Sequence, residues 1–248
     1  MIFSESTEEV EGWESLASNA AHTLGTIGNL CLRLPVGTGN WSAEGVAARI
    51  ALRTNELLGA TLALIGLNAL VASRTLTRSL LECAFASAAL TTKPNELVAM
   101  LKEDSEESRR RQGKFILAQR LGNDDLKREA LGRLINAIDV KLQTISPKRV
   151  AELGPIVKLY LQYQRLSDDS AHLTARSLEH YVVHEQGGWI LAPGTPSVHD
   201  NAATLRLALQ SSLLTGLAIC EVLRFSTEHH EVGTLLHRLE TMPSTKVF

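Results

Sequence analysis

From Leu57 to Ser73 the chain runs for 17 residues without a charge, and Arg74 to Leu90 then adds only Arg74, Arg78 and Glu82. A helix with no charged outer face is buried on most sides. Around such a helix at 100° per residue, Val71, Arg74, Leu81 and Phe85 share one side, with Arg78 beside them and Glu82 at the edge. The opposite side holds Thr75, Leu76, Ser79, Cys83, Ala86 and Ser87, all uncharged. The two arginines must then enter the interior, where an unpaired charge is very costly. They need carboxylates. Glu82 is one turn from Arg78; Glu56 and Glu221 are the other candidates. Two uses of this cluster stand open. One is a buried ion-pair network that fixes helix packing; the other is a pocket for a small anionic ligand at Arg74 and Arg78.

The rest of the chain reads as helices around that element. Ser6 and Glu9 have capping-box spacing and open a helix to about Leu34. The 35–40 loop has two glycines, but no strand before it and no lysine at P-loop spacing, so it reads as a turn. Ser42 caps a second helix to about Ile65, and Gly66–Asn68 breaks it from the third. Pro94 fits the first turn of a fourth. Residues 100–143 are more polar, with Arg109, Arg110 and Arg111 following four acids as a solvated helix face. Ser146-Pro147 and Gly154-Pro155 bracket a connector, and a long helix runs from about Pro155 to His184. Two short apolar runs around Gly187-Gly188 give a hairpin signal near 182–192. A last long helix spans about 200–226. The fold class is therefore all-α: a bundle of about seven or eight helices with one small β-hairpin. It forms one domain over 1–226, with its core in 43–226, and a 227–248 tail able to hold a short helix.

Composition narrows the function classes. The net charge of −2 supplies no general attraction to nucleic acid or anionic membrane. The apolar run at 57–73 is shorter than the roughly 20 residues of a membrane span, so no membrane partner is expected. Cys31, Cys83 and Cys220 are odd in number and far apart, which reads as buried thiols in a reducing, cytoplasmic setting. No signal-peptide pattern opens the sequence. No dinucleotide fingerprint, nucleophile motif or convincing metal-ligand spacing occurs, so no cofactor is expected.

The stretch Tyr163 to Tyr181 carries the second set of polar residues. Taken as a continuous helix, it puts Ile156, Tyr160, Tyr163, Ser167, Ser170, Thr174, Ser177 and Tyr181 on an inward, hydroxyl-bearing face. Those hydroxyls can hydrogen-bond the arginines of the third helix. The opposite face holds Lys158, Arg165, Asp169, His172, Arg176 and His180, with Asp168 and Glu179 beside them. Asp168 lies four residues before His172 and can orient its imidazole. Arg165 is two turns from His172, about 10 Å along the axis, a span suited to an RNA backbone. Arg165, His172 and Arg176 on one stripe offer an acid-base group with cations for a charged transition state. A solvated face laced with local pairs is the alternative.

At Arg78-Ser-Leu-Leu-Glu82 and at Tyr163-Gln-Arg-Leu-Ser167 leading to His172, the chain resembles a bacterial family of all-helical proteins catalogued as a domain of unknown function. That family shows an RSLLE-like helix and, much later, a Y-x-x-LS-x-x-x-x-H helix followed by a hairpin. The likeness covers 43–226. More distantly the chain resembles HEPN domains, helical proteins that often pair as dimers. Many are ribonucleases with an arginine, four to six residues and a histidine on one helix; Arg165 and His172 enclose six. A polar residue usually follows that arginine, where this chain has Leu166. The resemblance implies an RNA-cleaving or RNA-binding toxin or defence component, with RNA and a second copy of the chain as partners. In it His172 is the acid-base group, Arg165 and Arg176 the phosphate clamp, and Asp168 the orienter. The competing reading is a non-catalytic helical binding or assembly module. In the small-anion reading Arg74, Arg78, Glu82, Ser167 and Tyr163 line the ligand site.

Overall fold

The structure is a computed structural model that describes residues 7–35, 39–121, 124–138, 144–171, 174–179, 181–185, 187–191 and 198–243. It is all-helical in architecture. In chain order come α1 (Thr7–Cys31), α2 (Ala43–Gly66), α3 (Leu70–Thr92), α4 (Pro94–Ala118), α5 (Asp125–Asn136) and α6 (Pro147–Leu153). They are followed by α7 (Tyr160–Leu166), α8 (Ala175–Glu179), α9 (Val198–Leu223) and α10 (Ser226–Thr241). Ten α-helices are thus described where the sequence pattern predicts seven or eight. The main cause is that the long helix expected over 155–184 is not continuous. It divides into a 3-10 turn at Val157–Leu159, α7, a π-helical turn at Ser167–Ala171, and α8. Strands β1 (Val182–Glu185) and β2 (Gly188–Leu191) pair antiparallel, Val182 opposite Leu191 and Glu185 opposite Gly188.

Helix α3 is the axle. It packs against α2, α4, α6, α7, the π turn and α9, and only Ala72 and Thr92 along it are exposed. The lack of a charged outer face therefore predicts its burial correctly. Leu80, Leu81 and Phe85 are completely buried, each contributing roughly 1.5–3 kcal/mol by removal from water. The Gly66–Asn68 break is where the sequence places it. α2 ends at Gly66, and Asn68 takes a positive φ of 57°, a conformation that asparagine tolerates better than most residues. Its side-chain oxygen accepts a hydrogen bond from Asn201 Nδ2 on α9 at 3.0 Å. Ser42 caps α2 through a bond accepted from Gly45 N–H at 3.0 Å, and Pro94 opens α4.

Two glycines permit close packing. A side chain at Gly154 would meet the Ala88 backbone at 3.1 Å, so α6 can lie directly on α3. One at Gly216 would meet Leu24 at 2.9 Å, where α9 approaches α1. In the region after 226, α10 packs on α1 and α9 and contributes Val232 and Leu239 to the shared core. Helix α9 is long and apolar enough to cross a membrane over Asp200–Leu223, yet 72% of its apolar stretch is buried inside the bundle. The three cysteines are free and buried. Burial pushes the Cys31 thiol up to about 11 and the Cys220 thiol up to about 12.

Candidate functional site

The polar residues of α3 face those of α7 and the π turn, running antiparallel to them. Arg78, half-buried, is the first hub. Its Nη1 lies 2.9 Å from Glu82 Oε1, and its Nε donates to Ser167 Oγ at 2.8 Å. Its Nη2 donates to the Tyr163 hydroxyl. That hydroxyl in turn donates to Glu82 Oε1 at 3.0 Å, and Ser167 Oγ donates to the Tyr163 carbonyl at 2.9 Å. The guanidinium also stands 4.4 Å above the Tyr163 ring, a cation–π arrangement. Tyr163 stacks on Tyr160 at 5.5 Å and meets Phe85 edge-on at 6.1 Å. Burial, reinforced by the charge of Glu82 and the bond to it, pushes the Tyr163 phenol up to about 12. The sequence expectation that inward hydroxyls meet the α3 arginines is met at Tyr163 and Ser167.

Arg74 is the second hub and is sealed from water, with 2% of its side chain exposed. Its Nη2 lies 2.6 Å from Asp200 Oδ1, and its Nη1 lies 3.3 Å from Asp169 Oδ2. Neither partner is among the carboxylates the sequence reading proposes. Glu56 and Glu221 are exposed instead. Asp169, expected on the outward face, has only 2% of its side chain exposed. The correction has a geometric cause. The buried positions here are Tyr163, Leu166 and Asp169, and steps of three carry a buried stripe about 60° round a helix each time. The chain also leaves α form at Ser167, so a projection built on uniform 100° steps fails beyond that residue. On α3, Thr75 Oγ1 donates to the Ser170 carbonyl of the π turn at 3.1 Å, a further tie between the two elements.

The outer stripe is changed by the same break. Arg165 belongs to α7, Asp168 to the π turn and Arg176 to α8, so no single helix carries them. Arg165 is half-buried and makes no ion pair among the described residues; Asp168 is exposed. The Asp168 carbonyl accepts the Thr174 hydroxyl at 2.7 Å. His172, the expected acid-base group, and its pairing with Asp168 lie outside the described residues, as does His180. Ser177 and Thr174 cap each other at the start of α8, each donating its N–H to the other's hydroxyl at 3.0 Å.

Elsewhere, Glu107, one of the four acids expected on a solvated helix face, is buried. Its carboxylate takes two bonds from Arg110 at 2.6 and 2.7 Å and one from Arg111 at 2.7 Å. Those hydrogen bonds hold it well below the usual carboxylate range, at about 2. Arg109 stays exposed. No group of three or more metal-ligating side chains occurs among the described residues. Comparison with protein-family models, with curated proteins and with solved structures found no match.

Proposed function

We propose that this chain is a non-catalytic helical binding and assembly module, in which the interior cations serve the frame. The observation that carries this reading is the neutralisation of Arg74 and Arg78. Asp169, Asp200 and Glu82 face them, with Tyr163 and Ser167 filling further donor and acceptor positions. A cationic pocket for a small anion needs positive charge to spare. Among the described residues each of the two guanidinium groups already faces at least one carboxylate, which counts against the anion reading.

The partner in this reading is a second copy of the chain, met through the α4–α5 hairpin. Phe115, Leu126 and Leu134 on it are 60%, 77% and 67% exposed, a concentration of apolar side chains typical of interaction surfaces. Exposed Arg109, Arg111 and Lys114 lie on the same hairpin as exposed Asp124, Asp125 and Glu129. A hairpin surface with both signs can pair with its own copy about a twofold axis. Sedimentation equilibrium tests this: wild type is dimeric, and Phe115→Ser with Leu134→Ser is monomeric but equally heat-stable. A monomeric wild type removes the assembly claim.

A second reading is favoured by Arg165, which is half-buried yet free of any ion pair among the described residues, beside the exposed Asp168. Its content is metal-independent RNA cleavage, with His172 as acid-base group, Arg165 and Arg176 clamping phosphate, and Asp168 orienting the imidazole. Incubation of purified protein with RNA separates the two. Intact RNA favours the module; cleavage abolished by His172→Ala, with the fold retained, overturns it.

A further inference from the structure

We infer that the half-open cavity between α3, α4 and the start of α6 binds a small apolar molecule carrying a protonated amine. This deepens the binding reading above and rests on it. The cavity measures about 330 Å³ and is lined by Phe85, Ala86, Leu101, Ile145, Pro147 and Val150, with Glu82 as the charged group in its wall. An apolar chamber of this size with one placed polar group is the usual form of a small-molecule site.

The wall opposite α3 is fixed in place. Ile145 N–H donates to Asp104 of α4 at 2.8 Å, and the Thr92 hydroxyl donates to the Leu153 carbonyl at 2.6 Å. Gly154 keeps the end of α6 against the α3 backbone.

The chemistry of Glu82 sets the ligand class. Arg78 Nη1 and the Tyr163 hydroxyl both use Oε1. Oε2 accepts nothing from a described residue, and the side chain is 35% exposed. One carboxylate oxygen is therefore held in place by two donors while the other is left to accept. A cationic donor on an apolar body matches that wall, whereas a carboxylate or phosphate meets like charge.

Isothermal titration of the full chain with 2-phenylethylammonium and with 3-phenylpropionate tests the inference. The ammonium is expected to saturate at millimolar concentration or below, and the carboxylate to bind at least about tenfold more weakly. Glu82→Gln keeps the shape of the side chain and should weaken the ammonium by about tenfold. Ala86→Leu fills the cavity and should abolish binding of both probes. If Ala86→Leu does not fold, Leu101→Phe narrows the same space from the α4 side. Failure of the ammonium to saturate overturns the inference, as does equal binding by wild type and Glu82→Gln. Neither result depends on the exposed Phe115 and Leu134, so a monomeric but amine-binding protein would refute the dimer alone.

Discussion

Arginines are used in two ways in this molecule, on α3 and on α4. Arg74 reaches carboxylates 95 and 126 residues away in the chain. Arg110 and Arg111 reach Glu107, three and four residues back on their own helix. The first arrangement joins α3, the π turn and α9; the second stiffens one face of α4. Both contain a carboxylate with almost no exposure, Asp169 and Glu107. What differs is the cationic side: Arg74 is 2% exposed, whereas Glu107 is shared between Arg110, 13% exposed, and Arg111, 62% exposed. Removing Arg74 takes the guanidinium from a sealed carboxylate, while removing Arg111 leaves Glu107 still held by two hydrogen bonds from Arg110.

The contrast should be visible in unfolding measurements. Arg74→Ala should cost about 3–5 kcal/mol in urea denaturation, because the sealed Asp169 carboxylate loses the Arg74 guanidinium. Arg78→Ala should cost roughly 2 kcal/mol, less because its site is partly open to water. A loss for Arg78→Ala as large as that for Arg74→Ala would place both in one sealed unit. Tyr163→Phe should cost about 1 kcal/mol through the hydroxyl bonds to Arg78 and Glu82. Arg111→Ala should stay within about 1 kcal/mol. If it matched Arg74→Ala, the distinction between the two regions would fail.

Acid and alkali sharpen the same comparison. Glu107 is held at about 2 against an ordinary 4.5, so its contribution is present above the ordinary value and is lost as pH falls toward 2. Circular dichroism should show the Glu107→Gln variant losing less stability than wild type over that range. The Tyr163 phenol lies at about 12 against an ordinary 10.0. Its neutral form therefore supports the fold fully below 10 and stops doing so as pH rises through 12. A late step in the tyrosinate absorbance should vanish in Tyr163→Phe.

The interior arginines were legible because α3 has no charged face on which to leave them, and Glu82 followed from its four-residue spacing. Tyr163 and Ser167 were legible from theirs. Asp169 was not, since a uniform helical projection cannot anticipate the π turn that begins two residues before it and contains it. Asp200 was hidden for another reason. An acid in the first turn of α9 already has a local role at the helix N-terminus, so nothing in its neighbours signals a partner 126 residues earlier. Glu107 was read as one of four solvated acids, because its burial depends on how α4 is placed. The amine-sized cavity needs three elements in position and has no counterpart in any one stretch.

The most direct test of the account is a double-mutant cycle on Arg74 and Asp169, read by urea denaturation. The account predicts that Arg74→Ala and Asp169→Ala are each strongly destabilising, and that the double variant loses at least about 1 kcal/mol less than their sum. Losses that add to within about 0.5 kcal/mol would mean the two charges do not interact, and the interior network would no longer explain how the bundle is held.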